Sequence, residues 1–252
     1  MHPSLIIISY LLIIPMTKMC EMKLLGSAGS AFVTRVKFVL QLKSIEYVYI
    51  EEDLCNKSEL LLTSNPVFQR VPVLFHSNGQ PMTESLAIME YLDELKPDVH
   101  PLLPSDPSDR VQCRVLAYTF DTLCYPWMKE FMLTREKERR EELKQMLVQG
   151  SVMLEEAFVK FSKGKTFFGG DDIGYLDIVV GGFLGWIKFY EVVFNFKVIE
   201  EARNPRLAEW EKSMWSHEVA RSVIPSHEIH MKFLNMLIGR LPPLPVSASD
   251  AA

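Results

Sequence analysis

Apolar positions change their spacing several times along the 252-residue chain. The first stretch is a continuous run, LIIISYLLIIPM (5–16). It is too short to cross a bilayer and has the length of a signal-peptide core. No Lys or Arg precedes it, however, and no small-residue cleavage site follows it. We read residues 1–21 as an appendage outside the fold rather than as a secretion signal, with Met16, Met19 and Met22 each able to serve as a start.

From residue 22 the periods become short and distinct. MKLLG (22–26) predicts a buried strand, and AFVTRVKFVLQLKSI (31–45) sets Phe32, Val36, Val39 and Leu40 at helical spacing. EYVYIEED (46–53) alternates Tyr47 and Tyr49 against Val48 and Ile50, as a strand does. KSELLLTSN predicts a brief helix. VPVLFH (71–76) and the turn SNGQ predict a hairpin, and TESLAIMEYLDEL predicts a helix headed by Thr83. The order β-α-β then β-β-α fits a thioredoxin-like sheet over residues 22–98.

KPDVHPLLPSDPSD (96–109) then places Pro97, Pro101, Pro104 and Pro107 close together, which breaks both periods and marks a linker at 99–108. Beyond it the pattern is helical over 109–240, giving an α+β domain followed by an all-helical one. The segments are 107–133, 135–161, 175–194, 205–216 and 227–238. DIVVGGFLGWI (177–187) is apolar all round and predicts a central buried helix. The tail, 241–252, reads as disordered.

Composition narrows the chemistry. Lys and Arg number 27 against 32 Asp and Glu, a net charge of −5, which argues against a nucleic-acid surface. The dense charge run REKERREELK (135–144) mixes signs at helical spacing and reads as a solvated face. Four scattered cysteines, Cys20, Cys55, Cys113 and Cys124, lack metal spacing and predict free thiols in a reducing compartment. His227 and His230 can share a helix face, but no third ligand accompanies them, so no metal is expected.

Between the first strand and first helix lies GSAGSAFVTR (26–35). It matches neither the phosphate-binding G-x-x-x-x-G-K-[ST] pattern nor G-x-G-x-x-G. Ser30 falls just before a helix N-terminus, where free N–H groups and the helix dipole favour an anion. Taken alone it is equally an ordinary N-cap. Three further features carry the same two-sided reading. Val71 precedes Pro72 at a strand entry, either as a plain strand start or as backbone left free to pair with an extended peptide. Glu84 and Ser85 open a helix, as a cap or as a grip on an ammonium and a carboxylate. Lys57 sits in a loop after the second strand.

Together these features resemble a glutathione transferase. The runs IEEDLCNKSELLL and NPVFQRVPVLFHSNGQPMTESLAIMEYLDE, with PLLPSDPSDR and FFGGDDIGYLDIVV, are similar to the plant tau class over about residues 22–238. The resemblance implies a helical second domain, a homodimer, a cytoplasmic location, and glutathione as a co-substrate with no cofactor. It implies that Ser30 donates to the glutathione sulfur and that Lys57 pairs with the glycyl carboxylate. The Val71 backbone would pair with the cysteinyl unit, and Glu84 and Ser85 would hold the γ-glutamyl end. Asp177 matches an aspartate that stabilises the buried helix. Phe32, Tyr118, Thr119, Trp127, Phe233 and Leu237 are candidates for the wall of the acceptor pocket.

Two positions depart from the family pattern: Ala28 replaces an aromatic residue, and Ala31 replaces a proline. These changes bear on substrate range and on how firmly the hydroxyl is aimed. NKS (56–58) is also a formal glycosylation sequon, and a glycan on Asn56 would obstruct Lys57. The implied reaction is attack of the glutathione thiolate on a hydrophobic electrophile or an organic hydroperoxide. A free thiol with pKa about 8.5 is only roughly 3% ionised at pH 7. Lowering that pKa by about two units needs roughly 2.7 kcal/mol, within reach of one hydroxyl donor and a helix N-terminus. The alternative is a carrier of hydrophobic ligands on the same fold. A thiol oxidoreductase would need a cysteine in place of Ser30.

Overall fold

The computed structural model describes residues 22–238; the expected leader (1–21) and tail (241–252) lie outside the described residues. Four strands form one mixed sheet in the order β2-β1-β3-β4: β1 (Lys23–Gly26), β2 (Val48–Glu51), β3 (Val73–Phe75) and β4 (Pro81–Thr83). β1 runs parallel to β2 with Leu24 opposite Tyr49, and antiparallel to β3 with Leu24 opposite Leu74. The parallel pair is joined by α1 (Ala31–Leu42), whose apolar face buries Val36, Phe38, Val39 and Leu40. α2 (Glu59–Ser64) follows β2, and α3 (Ser85–Leu95) follows the β3–β4 hairpin and packs beside α1.

The second half comprises α4 (Pro107–Thr119), α5 (Tyr125–Leu133), α6 (Lys137–Ser162), α7 (Tyr175–Gly181), α8 (Leu184–Phe194), α9 (Pro205–Ser216), α10 (Glu218–Val223) and α11 (His227–Ile238). Pro107 and Pro205 each occupy the first turn of a helix, where a missing N–H costs nothing. Among the described residues no helix is long and apolar enough to cross a membrane.

Several elements differ from their sequence-based expectation. Thr83 ends β4, and Glu84 stands before α3 with φ 68°. The helix expected over 107–133 is interrupted by one wide π-helical turn, Phe120–Cys124. The buried helix expected over 175–194 breaks between α7 and α8. At that break, a Cβ on Gly182 would lie 2.8 Å from the Ala31 carbonyl and from Arg35 Cγ, so the missing side chain lets α1 press onto the break. α10 was hidden in a stretch with no clear period.

Two buried cations hold the linker and the helical half to α1. Lys43, fully buried at the end of α1, donates to the carbonyls of Lys96, Val99 and His100 and pairs with Asp93 at 2.8 Å. The proline-rich linker is therefore anchored where it begins. Arg35, also fully buried, donates to Asp121 through both terminal nitrogens (2.9 and 2.6 Å) and through Nε to the Val179 carbonyl (3.0 Å).

Asp177 acts as the hub of the helical half. Its carboxylate accepts from the backbone N–H groups of Phe168, Gly169 and Gly174 and from the Trp210 indole, all within 2.9 Å. Burial pushes its pKa up to about 6 while these donors pull the other way, so it is ionised at neutral pH. Asp177→Ala strands three buried donors, Phe168 N, Gly174 N and the Trp210 indole, and one partly exposed donor, Gly169 N. Each stranded donor costs roughly 1–3 kcal/mol, so urea melts should show a loss of at least about 3 kcal/mol.

A second prediction concerns α11. His230, 1% exposed, donates from Nδ1 to the Ser226 carbonyl (3.0 Å) and packs edge-on against Trp186. Burial lowers its pKa from the ordinary 6.5 to about 4. Between those values the unfolded chain binds a proton that the folded chain refuses, so stability falls as pH drops from 6.5 towards 4. His230→Gln, which cannot titrate, should flatten this part of the stability–pH curve; an unchanged slope in thermal melts would contradict the assignment.

Candidate active site

A short turn leads from β1 into α1. The Ser30 N–H donates to the Ser27 carbonyl (2.9 Å), and the Ser30 hydroxyl oxygen accepts from the Val33 N–H at 3.4 Å. Ser30 is thus an N-cap. Capping consumes only a lone pair of the oxygen, and the hydroxyl proton donates to no group among the described residues. The two readings of this serine are therefore compatible: it closes the helix and still offers a donor. The turn is held from below by Glu51, which accepts from Ser27 Oγ (3.3 Å), Ala28 N (3.0 Å) and Tyr49 Oη (2.7 Å).

Ser30 lines a cleft of about 710 Å³ between the two halves, and so do Lys57, Val71, Glu84 and Ser85. Each is delivered by its own local device. Glu52, 2% exposed, accepts from both Ser58 N and Ser58 Oγ at 2.7 Å. Ser58 in turn caps α2, so the loop carrying Lys57 is anchored at its end. Asn65, nearly buried, donates to the Arg70 carbonyl and accepts from Phe68 N, shaping the turn that leads to Val71. The Val71–Pro72 bond is cis, and the sheet register of β3 begins only at Val73. Lys57 and Glu84 have no ion-pair partner among the described residues. Asn56, the sequon residue, is exposed beside Lys57.

The opposite side of the cleft is largely apolar, with Asp121, Thr122 and Lys129 as its polar members. Tyr118, Tyr125, Met128 and Met132 present one stripe from α4 and α5, faced by Phe183 and Trp186 and closed by Phe233 and Leu237 of α11. Phe32 joins this wall, edge-on to Tyr125 (4.8 Å) and Phe183 (5.4 Å). The six acceptor candidates fall into two groups. Phe32, Tyr118, Phe233 and Leu237 lie on the cleft, whereas Thr119 and Trp127 lie off it. The Thr119 hydroxyl turns back to the Val115 carbonyl (2.8 Å). Trp127 faces α6, where the space over Gly150 receives its ring. The stripe runs through 118, 121, 122, 125, 128 and 132, and neither residue shares that phase.

Arg35 and Asp121 were not anticipated. Arg35 Nη1 also donates to Ser85 Oγ (3.3 Å), so the domain-joining pair reaches the cleft floor. The signal was present, since Arg35 follows Phe32 by three positions and precedes Val39 by four, on the apolar face of α1. Burial pushes the Cys113 and Cys124 thiols up to about 11, which leaves them inert as nucleophiles. No group of side chains among the described residues is arranged to hold a metal ion.

Comparisons with known proteins identify the family. The family model "Glutathione S-transferase, N-terminal domain" matches residues 20–94, and "Glutathione S-transferase, C-terminal domain" matches residues 137–213. Glutathione S-transferase U17 of Arabidopsis thaliana is 39% identical over 206 residues, covering 81% of this chain and 90% of the relative. A tau-class glutathione S-transferase from mango, Mangifera indica, superposes with a TM-score of 0.82 at 39% identity, covering 87% of this chain and 99% of that one. Rice GST1, solved in complex with glutathione, superposes at 0.76 with 32% identity, covering 87% and 99%. The chain belongs to the glutathione S-transferase family, within its plant tau class.

Proposed function

We propose that this protein activates glutathione on Ser30 and conjugates its thiolate to hydrophobic electrophiles, with organic hydroperoxides as further substrates. The observation that carries this reading is Ser30 itself, a helix N-cap on the cleft whose hydroxyl proton is uncommitted. A thiolate placed before the first turn of α1 receives that proton as a hydrogen bond and meets the positive end of the helix. Both interactions favour the ionised sulfur. Lys57 takes the glycyl carboxylate, the Val71 backbone pairs with the cysteinyl unit, and Glu84 and Ser85 hold the γ-glutamyl ammonium and carboxylate. The acceptor lies against Phe32, Tyr118, Phe233 and Leu237, where apolar surface removed from water supplies affinity without polar recognition.

In this reading residues 22–98 form the glutathione-binding unit and 109–240 the acceptor-binding unit, with 99–108 between them. The protein acts as a homodimer. This is supported by apolar side chains left open on two elements, Val67 and Phe68 (80% and 55% exposed) and Val111 and Val115 on α4 (57% and 58%). Free thiols at Cys55, Cys113 and Cys124 suit the cytoplasm, and the activity suits detoxification and stress response.

Turnover with a generic aromatic halide tests the proposal. Ser30→Ala should raise the pKa of the bound thiol and cut conjugation at neutral pH by one or more orders of magnitude, while glutathione still binds. Normal turnover and an unshifted thiol in that variant would leave Ser30 a cap alone. Lys57→Ala should raise KM for glutathione by the equivalent of about 1.5–3 kcal/mol, as expected when a charge-assisted contact is lost, with kcat changed far less. An unaltered KM would refute the placement of the glycyl carboxylate.

A further inference from the structure

The turn that ends in Ser30 is also gripped from above, by the helical half. Trp186 of α8 donates its indole N–H to the Gly29 carbonyl at 3.0 Å, in a fully buried contact between residues far apart in the chain. That carbonyl belongs to the peptide unit whose nitrogen is Ser30 N, the same N–H that donates to the Ser27 carbonyl. Phe233 of α11 presses on Gly29 so closely that a Cβ there would lie 2.4 Å from it. Trp186 is itself wedged by Phe189 (5.3 Å), His230 (4.6 Å) and Phe233 (5.7 Å).

We infer that Trp186 is a positioning residue for the reaction: through the Gly29 carbonyl, its indole N–H fixes the peptide plane from which Ser30 presents its hydroxyl. The inference rests on the role proposed above for Ser30. A peptide plane has two hydrogen-bonding groups, and here both are engaged, the N–H by Ser27 and the C=O by Trp186. With both held, the plane cannot rotate, and the direction of the following Cα–Cβ bond is set. Releasing the carbonyl leaves one restraint and lets the hydroxyl wander relative to the sulfur. A hydrogen bond weakens steeply when its angle departs from linear, so thiolate stabilisation falls before substrate binding does. Lys57 and Glu84 are carried by other elements, and affinity for glutathione is untouched. The same residue also borders the acceptor cleft, so the wall that receives the electrophile and the turn that activates the sulfur are mechanically one piece.

The test compares Trp186→Phe, which keeps a ring but removes the donor, with Phe189→Leu, which loosens the packing around Trp186 but keeps the N–H. In the dimeric full-length protein, Trp186→Phe should raise the pKa of the bound thiol, read by its ultraviolet absorbance and by the pH profile of conjugation, by about one pH unit. At a pH below that pKa the rate should fall about tenfold and recover at high pH, with KM for glutathione within about twofold. Phe189→Leu should lower the melting temperature without moving the profile. In a double-mutant cycle, adding Trp186→Phe to Ser30→Ala should change the thiol pKa no further.

Hydrogen exchange at the Ser30 amide supplies a readout independent of activity, because it reports the turn directly. It should accelerate in Trp186→Phe and stay slow in Phe189→Leu. Accelerated exchange together with an unshifted wild-type thiol would uphold the mechanical link and refute the role given to Ser30. Unchanged exchange, an equal pKa shift in Phe189→Leu, or full additivity with Ser30→Ala would overturn the inference. Should the Phe variant fail to fold, Trp186→Met, which fills irregular apolar space, carries the same expectations.

Discussion

The architecture turns on one guanidinium. Arg35 is fully buried, and a buried cation is tolerable only when its donors are satisfied. Its partners come from separate parts of the chain: the Asp121 carboxylate from the π-helical turn, the Val179 carbonyl from α7 and the Ser85 hydroxyl from α3. Three rings, Phe32, Phe120 and Phe183, stand 5.1–6.0 Å from its Cζ. A planar fork bonded to a carboxylate through both arms fixes orientation as well as distance. The two halves of the molecule therefore meet in one register. Gly182 makes the meeting possible by leaving α1 room to approach.

From this joint the cleft acquires two walls of different character. On the sheet side, loops carry the charged and polar groups, pinned by the exposed Glu51 under Ser27 and Ala28 and by the buried Glu52 under Ser58 and Asn65 under Arg70. On the helical side the wall is mainly a stripe of aromatic and methionine side chains, which adapt to shape and ask for no particular partner. A rigid polar wall and a yielding apolar one suit a reaction with one constant and one variable substrate.

Much of this was legible from spacing alone. The change from period two to period 3.6 located the sheet, α1 and α3. Ser30, Lys57, Val71, Glu84 and Ser85 meet on one cleft, a grouping that the family resemblance implied and that spacing alone left open. What spacing could not reveal is where a helix changes its internal pitch. The π-helical turn at Phe120–Cys124 has no composition of its own, and it separates Tyr118 from Tyr125 on one face while Thr119 and Trp127 turn elsewhere. Arg35 is illegible for a different reason. Its neighbours read as a core helix, and a charged residue among them announces an ion pair only when its distant partner, Asp121, is known. In the sequence Trp186 reads as one apolar residue among many in a buried helix. Its polar edge matters only because Gly29 lies opposite.

Glu84 enters α3 at φ 68° and ψ 109°, a conformation that side-chain-bearing residues avoid. Such a residue carries strain of order 1–3 kcal/mol, and the surrounding hairpin and helix hold it in place. The cost is met during folding, once, and does not recur with each ligand. An exposed carboxylate on a relaxed backbone would have to surrender its freedom whenever it met an ammonium group. Here the backbone share of that entropy is already given up on folding, so a ligand meeting Glu84 in the role proposed for it need not supply that share.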